Sequence, residues 1–373
     1  MEISHEKVCL CALNSILGDD PAKAAGLLSM YGSASELFRD PPLQLAMRLE
    51  DGLLDKVREQ LESLSREGVR FIPVTDGDYP PLLKECPDRP TGIYYKGVSP
   101  PGEVFLSRRA VAVVGTRKIS PYGIKWCREI VEALSETEEA PMIVSGLAYG
   151  TDILAHVTAL GCRVPTAAVM ATGMDTVYPW RHRDIAIRIA STTGCCLLTD
   201  YPPTTAPKPV NFLRRNRIIA GLTEAVILIE SAVKGGGLVT VRYANEYSRE
   251  AYALPGRVGD PLSAGCNDLI ARNSADIISS PSLLVERLGM HHPSRRPAAP
   301  GQRYTARIRE CFSPGEAPVA QAVFEAVWGT EGITAPAISA RTGLDETEVS
   351  RIVTTLEIRL LIRCDTAGRC FIR

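Results

Sequence analysis

The central part of the chain alternates short apolar runs with helix-like stretches, and four of the apolar runs end in glycine. The runs are AVAVVG (110–115), PMIVSG (141–146), VPTAAVMATG (164–173) and EAVILIESAVKGGG (224–237). Helical patterns follow them at 121–134, 150–160, 182–192 and 237–249. Apolar runs bounded by glycine predict strands, and strands that alternate with helices predict a parallel α/β sheet with crossover helices.

Different patterns flank this region and predict further domains. The first 65 residues have helical periodicity, with Asp20 as an N-cap and Pro21 at the first helical position. A proline-rich stretch precedes a C-terminal segment whose pattern is helix, helix, helix, hairpin, which is typical of a winged helix. We therefore predict a helical domain at 1–65, an α/β domain at 66–289, a linker at 290–316 and a winged-helix domain at 317–373.

The overall charge limits where an anion could bind. The chain has 373 residues and a formal net charge of -1, so an anion site must be local rather than spread over the surface. The 11 cysteines lack the paired spacing of a zinc site, and the N-terminus lacks the pattern of a targeting peptide. Together with the absence of an 18-residue apolar stretch, this predicts a cytoplasmic protein without a membrane span.

The glycines at the strand ends predict an anion site. In open α/β sheets, ligands bind beyond the carboxyl ends of the strands, where backbone amides and helix N-termini meet them. A single such glycine more often serves only to make a tight turn, so the prediction depends on the set. The candidate positions are Gly115, Ser145, Gly146, Gly236 and Gly237.

The first turn, GTRKISPYG (115–123), favours a phosphate diester over a dinucleotide. Arg117 stands where a GxGxxG motif would have its second glycine, and Ser145 stands where a ribose-binding acid would be. The GxxxxGK[ST] motif of P-loop proteins is absent as well. Because Arg117 and Ser120 offer hydrogen-bond donors, we expect phosphate contacts there and no nucleotide cofactor.

A basic cluster lies in NFLRRNRIIAGL (211–222). No acid occurs between Asp200 and Glu224, and this interval contains four basic residues, Lys208, Arg214, Arg215 and Arg217. With Phe212 and Asn216 beside them, the cluster is typical of a single-strand binder, in which arginines hold phosphates and a ring stacks on a base. The alternative is an exposed helix face with Phe212 in the core.

Other candidate residues are better explained by structure than by chemistry. Asp152 and His156 lie four residues apart on a predicted helix, but without an evident third ligand we expect a helix cap and a packed histidine rather than a metal pair. Tyr178 could stack on a base or shape its loop. The predicted recognition helix (344–359) has an acidic face, which favours protein contact or a weak role in duplex binding over sequence-specific readout.

These motifs together resemble those of the DNA-processing protein A (DprA/Smf) family. The resemblance covers about residues 70 to 280. The N-terminal unit is similar to the sterile-alpha-motif-like domain of many members, and the C-terminal unit to their winged helix. The motifs occur in order as GTRKISPYG, SGLAYGTDILAHVTAL, GMDTVYP, LLTDYPPTTAPKPVNFLRRNRIIAGL, GGGLVTVRYANEYSREAYALPG and SAGCNDLI.

The resemblance implies an extended Rossmann-like domain that binds single-stranded DNA without cutting it. Family members protect incoming strands in natural transformation, load the RecA recombinase onto them and act as homodimers. Arg117 matches the arginine of the family's GxRxxS motif, and Phe212, Arg215 and Asn216 match FxxRN. Lys208 lies near a family lysine. A departure occurs at Gly236, where members usually have a serine before the glycine.

An enzymatic alternative remains open at this point. KGGGLVT (234–240) is similar to the PGGxGT loop of lysine-decarboxylase-like nucleotide hydrolases, which need a glutamate soon after the loop. Here Val241 and Arg242 follow instead. A purely structural scaffold is a third possibility.

Overall fold

The computed structural model of the chain describes residues 3–291, 308–309, 311–328, 330, 332–359, 361–365 and 367–372. It divides into two compact units, Met1–His291 and His292–Arg373. Most of the predicted linker at 290–316 lies outside the described residues.

The first unit begins with five helices. As predicted, Asp20 caps the second by accepting a hydrogen bond from the Lys23 amide (3.1 Å), with Pro21 in its first turn. Apolar residues of α1 and α5 share a core with Phe71 and Tyr94 of the sheet. The five are α1 (His5–Leu17), α2 (Pro21–Tyr31), α3 (Ala34–Arg39), α4 (Leu43–Ala46) and α5 (Leu53–Arg66). The 1–65 domain boundary therefore stays a prediction.

A nine-stranded sheet forms the centre of this unit. The strands are β1 (Val69–Pro73), β2 (Gly92–Lys96), β3 (Ala110–Val114), β4 (Met142–Ser145), β5 (Thr166–Val169), β6 (Cys196–Thr199), β7 (Ala225–Leu228), β8 (Glu250–Ala253) and β9 (Asp276–Ile277). Their spatial order is β1-β2-β6-β5-β4-β3-β7-β8-β9. Neighbours from β6 to β9 pair in parallel, and the edge strands β1 and β2 are antiparallel. The predicted parallel α/β sheet is confirmed.

Helices connect the strands and cover both faces of the sheet. They are α6 (Pro81–Glu85), α7 (Pro101–Phe105), α8 (Pro121–Ser135), α9 (Thr151–Gly161), α10 (Arg183–Ser191), α11 (Pro209–Gly221), α12 (Gly236–Glu246), α13 (Ala264–Ala271) and α14 (Pro281–Arg287). Residues of α8 and α9 pack on one face of β3 and β4. Residues of α11 and α12 pack on the other. None of the helices in the described residues is both long and apolar enough to cross a bilayer.

The order of the strands places a crevice beside β3. From β3 the chain proceeds outward through β4 and β5 to β6, and then returns to place β7, β8 and β9 on the other side of β3. Where the direction of winding reverses, the connections leave the carboxyl ends of β3 and β7 in opposite directions, and ligands of open sheets bind in that gap. The topology thus predicts a site between these two strand ends.

From Ala317 onward, the described residues of the second unit form three helices and a small antiparallel sheet. The helices are Ala317–Trp328, Ala335–Thr342 and Glu346–Ile358, and the strands pair in the order Ile333–Thr334, Arg369–Ile372, Ile362–Cys364. Gly343 ends the second helix in the left-handed conformation, with φ +73°. The three helices and the final hairpin follow in the expected order, but the strand Ile333–Thr334 after the first helix was not predicted. The winged-helix assignment stays a prediction.

Candidate functional site

A cavity of about 470 Å³ opens at the carboxyl ends of β3 and β7. Three chain segments that the sequence singled out meet around it: the turn after β3, helix α11 and the glycine-rich start of α12. Lining residues from these segments include Gly115, Thr116, Arg117, Phe212, Arg215, Asn216, Gly235, Gly236 and Gly237. The crevice expected from the strand order is therefore present, and its walls come from the predicted motifs.

Backbone contacts hold these turns close together. The Thr116 amide donates to the Glu230 carbonyl (2.8 Å), and the Thr151 amide donates to the Thr116 carbonyl (3.1 Å). Gly150 adopts φ +75°, and a Cβ there would collide with the Thr116 carbonyl. Only glycine combines this backbone conformation with so close an approach, so the first turn depends on the loop before α9 for its shape.

Arg117 and Phe212 form the mouth of the cavity. The Arg117 side chain is exposed, and its guanidinium lies 4.8 Å from the centroid of the Phe212 ring. The Tyr178 ring meets Phe212 edge to face at 5.4 Å and also lines the cavity. A cation over an aromatic face is held in place without losing its hydrogen-bond donors. The mouth therefore offers both a phosphate partner and rings on which a base could stack.

Arg215 lies in the floor of the cavity rather than at its mouth. Only 3% of the residue is exposed, and Nη1 donates to the carbonyls of Gly146 (2.6 Å) and Val169. Its Nε has no hydrogen-bond partner among the described residues. Burial lowers the pKa of Arg215 to about 10, although the nearby Asp152 favours the charge. The side chain thus ties together the ends of β4 and β5.

Arg217 is an internal ion-pair residue. It is 5% exposed, and its guanidinium lies 2.5 Å from the Asp200 carboxylate and donates to the Asp88 carbonyl at 2.5 Å. This placement does not fit the predicted contact with a phosphate. Helical geometry alone does not explain this, because residues three apart, such as Arg214 and Arg217, project from nearly the same face of a helix. The contacts with Asp200 and Asp88 hold Arg217 in the interior. The acidic partner, 17 residues upstream, was not apparent from the sequence.

Two further predicted cations near the site, Lys208 and Arg214, are exposed. Lys208 immediately precedes α11, between Pro207 and Pro209, which line the cavity. Arg214 follows Phe212 by two residues on α11, and both cationic side chains are exposed. Neither lines the cavity itself, so they flank the mouth. Lys234, also exposed and next to Gly235, was missed; the signal for it was the lysine directly before three glycines.

The two predicted serine donors form hydrogen bonds within the protein. The Ser120 hydroxyl donates to Glu230 Oε1 (2.5 Å) and accepts from the Gly123 amide (3.1 Å), which caps α8. The Ser145 hydroxyl is fully buried and donates to the Val113 carbonyl (2.7 Å). Neither serine lines the cavity in this structure. In this structure both serines shape the turns, and their predicted contact with a phosphate stays a prediction.

The glycine positions differ in whether they leave space for a side chain. A Cβ at Gly146 would collide with the Arg215 guanidinium, and one at Gly237 would lie 2.6 Å from Leu228 Cδ1. A Cβ at Gly236 would meet nothing within 4 Å. Gly236 and Gly237 begin α12, where the first amides of a helix point outward without helical partners and favour an anion.

Acidic side chains near the cavity are held by internal partners. Asp152 is buried and accepts from the Ala148 amide (3.4 Å), and burial raises its pKa although Arg215 opposes this. The buried Glu230 carboxylate accepts hydrogen bonds from the amide and the hydroxyl of Ser120. In the position where the hydrolase alternative needs a glutamate, Arg242 pairs with Glu246 on the surface of α12. The geometry gives that alternative no support.

His156 is a packed histidine, as expected. Its Nδ1 lies 2.7 Å from the Thr166 hydroxyl, which itself donates to the Ile143 carbonyl. The hydroxyl must therefore accept from Nδ1–H, which leaves Nε2 as a buried acceptor without a partner among the described residues. No group of three or more potential metal ligands occurs in the part of the chain that the structure describes.

Comparison with known proteins identifies the family. The model of the DNA recombination-mediator protein A family matches residues 70–289. The chain belongs to this family. It is 34% identical to Protein Smf of Escherichia coli over 289 residues, which cover 76% of this chain and 75% of that protein. It is 38% identical to Protein Smf of Synechocystis over 229 residues, which cover 61% of this chain and only 56% of that protein.

Solved structures of the recombination-mediator family agree with the fold. The X-ray structure of DNA processing protein A from Streptococcus pneumoniae superposes with a TM-score of 0.61 at 29% identity, covering 77% of this chain and 98% of that one. A structure of the Helicobacter pylori protein, described for its single-stranded DNA binding mode, gives a TM-score of 0.50 at 27% identity and covers 56% of this chain and 92% of that one. Together with family membership, these likenesses support a role in DNA processing.

Proposed function

We propose that this protein binds single-stranded DNA in the β3–β7 cavity and acts as a recombination mediator, not as an enzyme. The observation that supports this most is the exposed Arg117 guanidinium over the Phe212 ring, at the mouth of a glycine-lined crevice at the switch point of the sheet. The Helicobacter relative described for single-stranded DNA binding has the same fold.

Each part of the site has a role in this proposal. Arg117, Lys208 and Arg214 hold phosphates at the surface, and the amides that begin α12 meet a phosphate inside the crevice. Phe212 and Tyr178 stack on bases, which tolerates any sequence because every base has a flat face. Arg215 contributes positive potential from the cavity floor and holds the ends of β4 and β5 together. The buried Asp152 partly offsets the positive charge of Arg215.

Binding to labelled oligothymidylate tests the proposal directly. Anisotropy titrations at about 0.1 M salt should show that Arg117→Glu lowers affinity by about tenfold or more, since a held phosphate contact becomes a repulsion. Arg188→Glu is the matched control, because Arg188 is also exposed but lies on α10 and does not line the cavity. Unlabelled duplex should compete poorly. Equal affinity of wild type and Arg117→Glu would remove the site from the proposal.

The family resemblance extends the proposal to partners and flanking domains. We propose that the protein acts as a homodimer, protects incoming strands and loads RecA onto them, with residues 1–65 as a sterile-alpha-motif-like domain and 317–373 as a winged helix. If so, the protein should shorten the lag of RecA-dependent ATP hydrolysis on single strands coated with single-strand binding protein. An unchanged lag with an active, DNA-binding preparation would reject the loading role.

A further inference from the structure

A second group of aromatic and basic side chains lies next to the cavity. Tyr178, which lines the cavity, begins the segment YPWRHR (178–183). We name Tyr149, Trp180, Arg181 and Arg183 the side platform. Trp180 starts a short 3₁₀ helix, Trp180–His182, that leads directly into α10. The platform therefore continues the cavity mouth in sequence.

The side platform exposes two large aromatic side chains. Trp180 is 69% exposed and Tyr149 is 41% exposed. The Arg183 guanidinium lies 5.0 Å from the centroid of the Trp180 ring. Packing of the sheet does not require tryptophan at so open a position, since the side chain is not part of the core. Its stacking with a cation is the arrangement that nucleic-acid surfaces use for bases and phosphates.

Internal contacts make this surface rigid. The buried His182 donates from Nδ1 to the Leu147 carbonyl (2.8 Å), and the Tyr149 ring meets the His182 ring edge to face at 4.9 Å. These contacts fix YPWRHR to the loop after β4, whose Ala148 also lines the cavity. A stacking surface held in place in this way binds with less loss of conformational entropy.

The charge of the segment fits a phosphate backbone. Arg181 and Arg183 are exposed, and no acid occurs from Tyr178 to Arg183. Asp184 follows, in the first turn of α10, where the helix dipole favours a negative charge. Two arginines beside a tryptophan suit a single strand, whose unpaired bases and phosphates alternate along the chain.

We propose that the side platform is a second subsite for the single strand that occupies the cavity. The strand leaves the cavity past Tyr178, one of its bases stacks on Trp180, and Arg181 and Arg183 hold the adjoining phosphates. This inference rests on the proposed function. It assigns the protein a longer footprint than the cavity alone provides, so affinity should rise with oligonucleotide length until both subsites are filled.

Titrations with oligothymidylates of two lengths, about 6 and about 16 nucleotides, test the second subsite. Trp180→Ala and Arg183→Glu should each weaken binding of the longer strand several-fold and leave binding of the shorter strand unchanged. Trp180→Phe should retain most of the affinity for the longer strand, because a ring remains. Ile187→Ala is the matched control, as Ile187 is an exposed apolar residue of α10 outside the platform.

The outcomes separate this inference from the proposed function. If the wild type binds neither length, the proposed function fails and the subsite with it. If it binds both lengths, but Trp180→Ala weakens neither or weakens both equally, only the second subsite is overturned. A loss for Ile187→Ala equal to that for Trp180→Ala would also overturn it, by indicating a general apolar surface rather than a base-stacking ring.

Discussion

Burial separates arginines that the sequence groups together. Arg214, Arg215 and Arg217 lie within four positions, yet the first is exposed, the second supports the cavity floor and the third is paired with Asp200. Arg217 is bonded in the interior to the Asp200 carboxylate and the Asp88 carbonyl, so it is lost to an external phosphate. Arg117, with its guanidinium over an aromatic ring at the surface, keeps donors for a ligand.

The Arg217–Asp200 pair should therefore matter for stability rather than for DNA contact. Arg217→Met leaves Asp200 as an uncompensated buried charge and should lower the free energy of unfolding by about 3–5 kcal/mol. The double change Arg217→Met with Asp200→Leu should recover part of this loss. Urea unfolding followed by circular dichroism measures both variants. If Arg217→Met unfolds at the wild-type urea concentration, the pair does not have the structural role given to it here.

His156 should make stability depend on pH. Burial lowers its pKa to about 3, while an unfolded chain has a histidine pKa of about 6.5. Because the unfolded state then binds the extra proton, stability is full above about pH 6.5 and falls by up to about 1.4 kcal/mol per pH unit below it. Urea unfolding of wild type and His156→Gln at pH 7 and pH 5 isolates the contribution of His156. The variant should lose less stability than wild type on acidification. Equal losses in both proteins would contradict the assignment.

At the scale of elements, the sequence predicted some strands of the sheet and not others. The strand–glycine pattern was a sufficient signal for β3, β4, β5 and β7, because strands buried on both faces have continuous apolar runs. Strands β1, β2, β6, β8 and β9 were not predicted. Pairing with distant strands, which sequence periodicity does not reveal, defines them. The paired strands also end earlier than the apolar runs, because the buried residues of each run continue past the last paired residue into the turn.

Two glycines of the site should respond differently to alanine. Gly150→Ala introduces a Cβ at φ +75° against the Thr116 carbonyl, so it should lower the melting temperature and distort the first turn. Gly236→Ala fills open space at the start of α12 and should leave the melting temperature unchanged or higher. Differential scanning calorimetry of the two variants is the measurement. A melting temperature lowered equally by both changes would argue against this account of the turn.

At the scale of the whole molecule, the fold was more predictable than the site. The alternation of β3, β4, β5 and β7 with helices follows from local periodicity, and right-handed crossovers make these strands parallel neighbours of one sheet. Which side chain faces the crevice depends on helix rotation and on distant partners such as Asp200 and Glu230, and these become visible only in three dimensions. The motif segments do line the cavity, but the resemblance did not show which of their residues are exposed there.

The salt dependence of single-strand binding tests most directly whether exposed, and not buried, arginines meet the phosphates. The logarithm of the binding constant falls linearly with the logarithm of salt concentration, by about 0.7 for each phosphate contact to a single strand. Arg117→Gln should reduce the magnitude of this slope by about 0.7 relative to wild type, while folded Arg217→Met should keep the wild-type slope. An unchanged slope for Arg117→Gln, or a reduced one for Arg217→Met, would contradict the account.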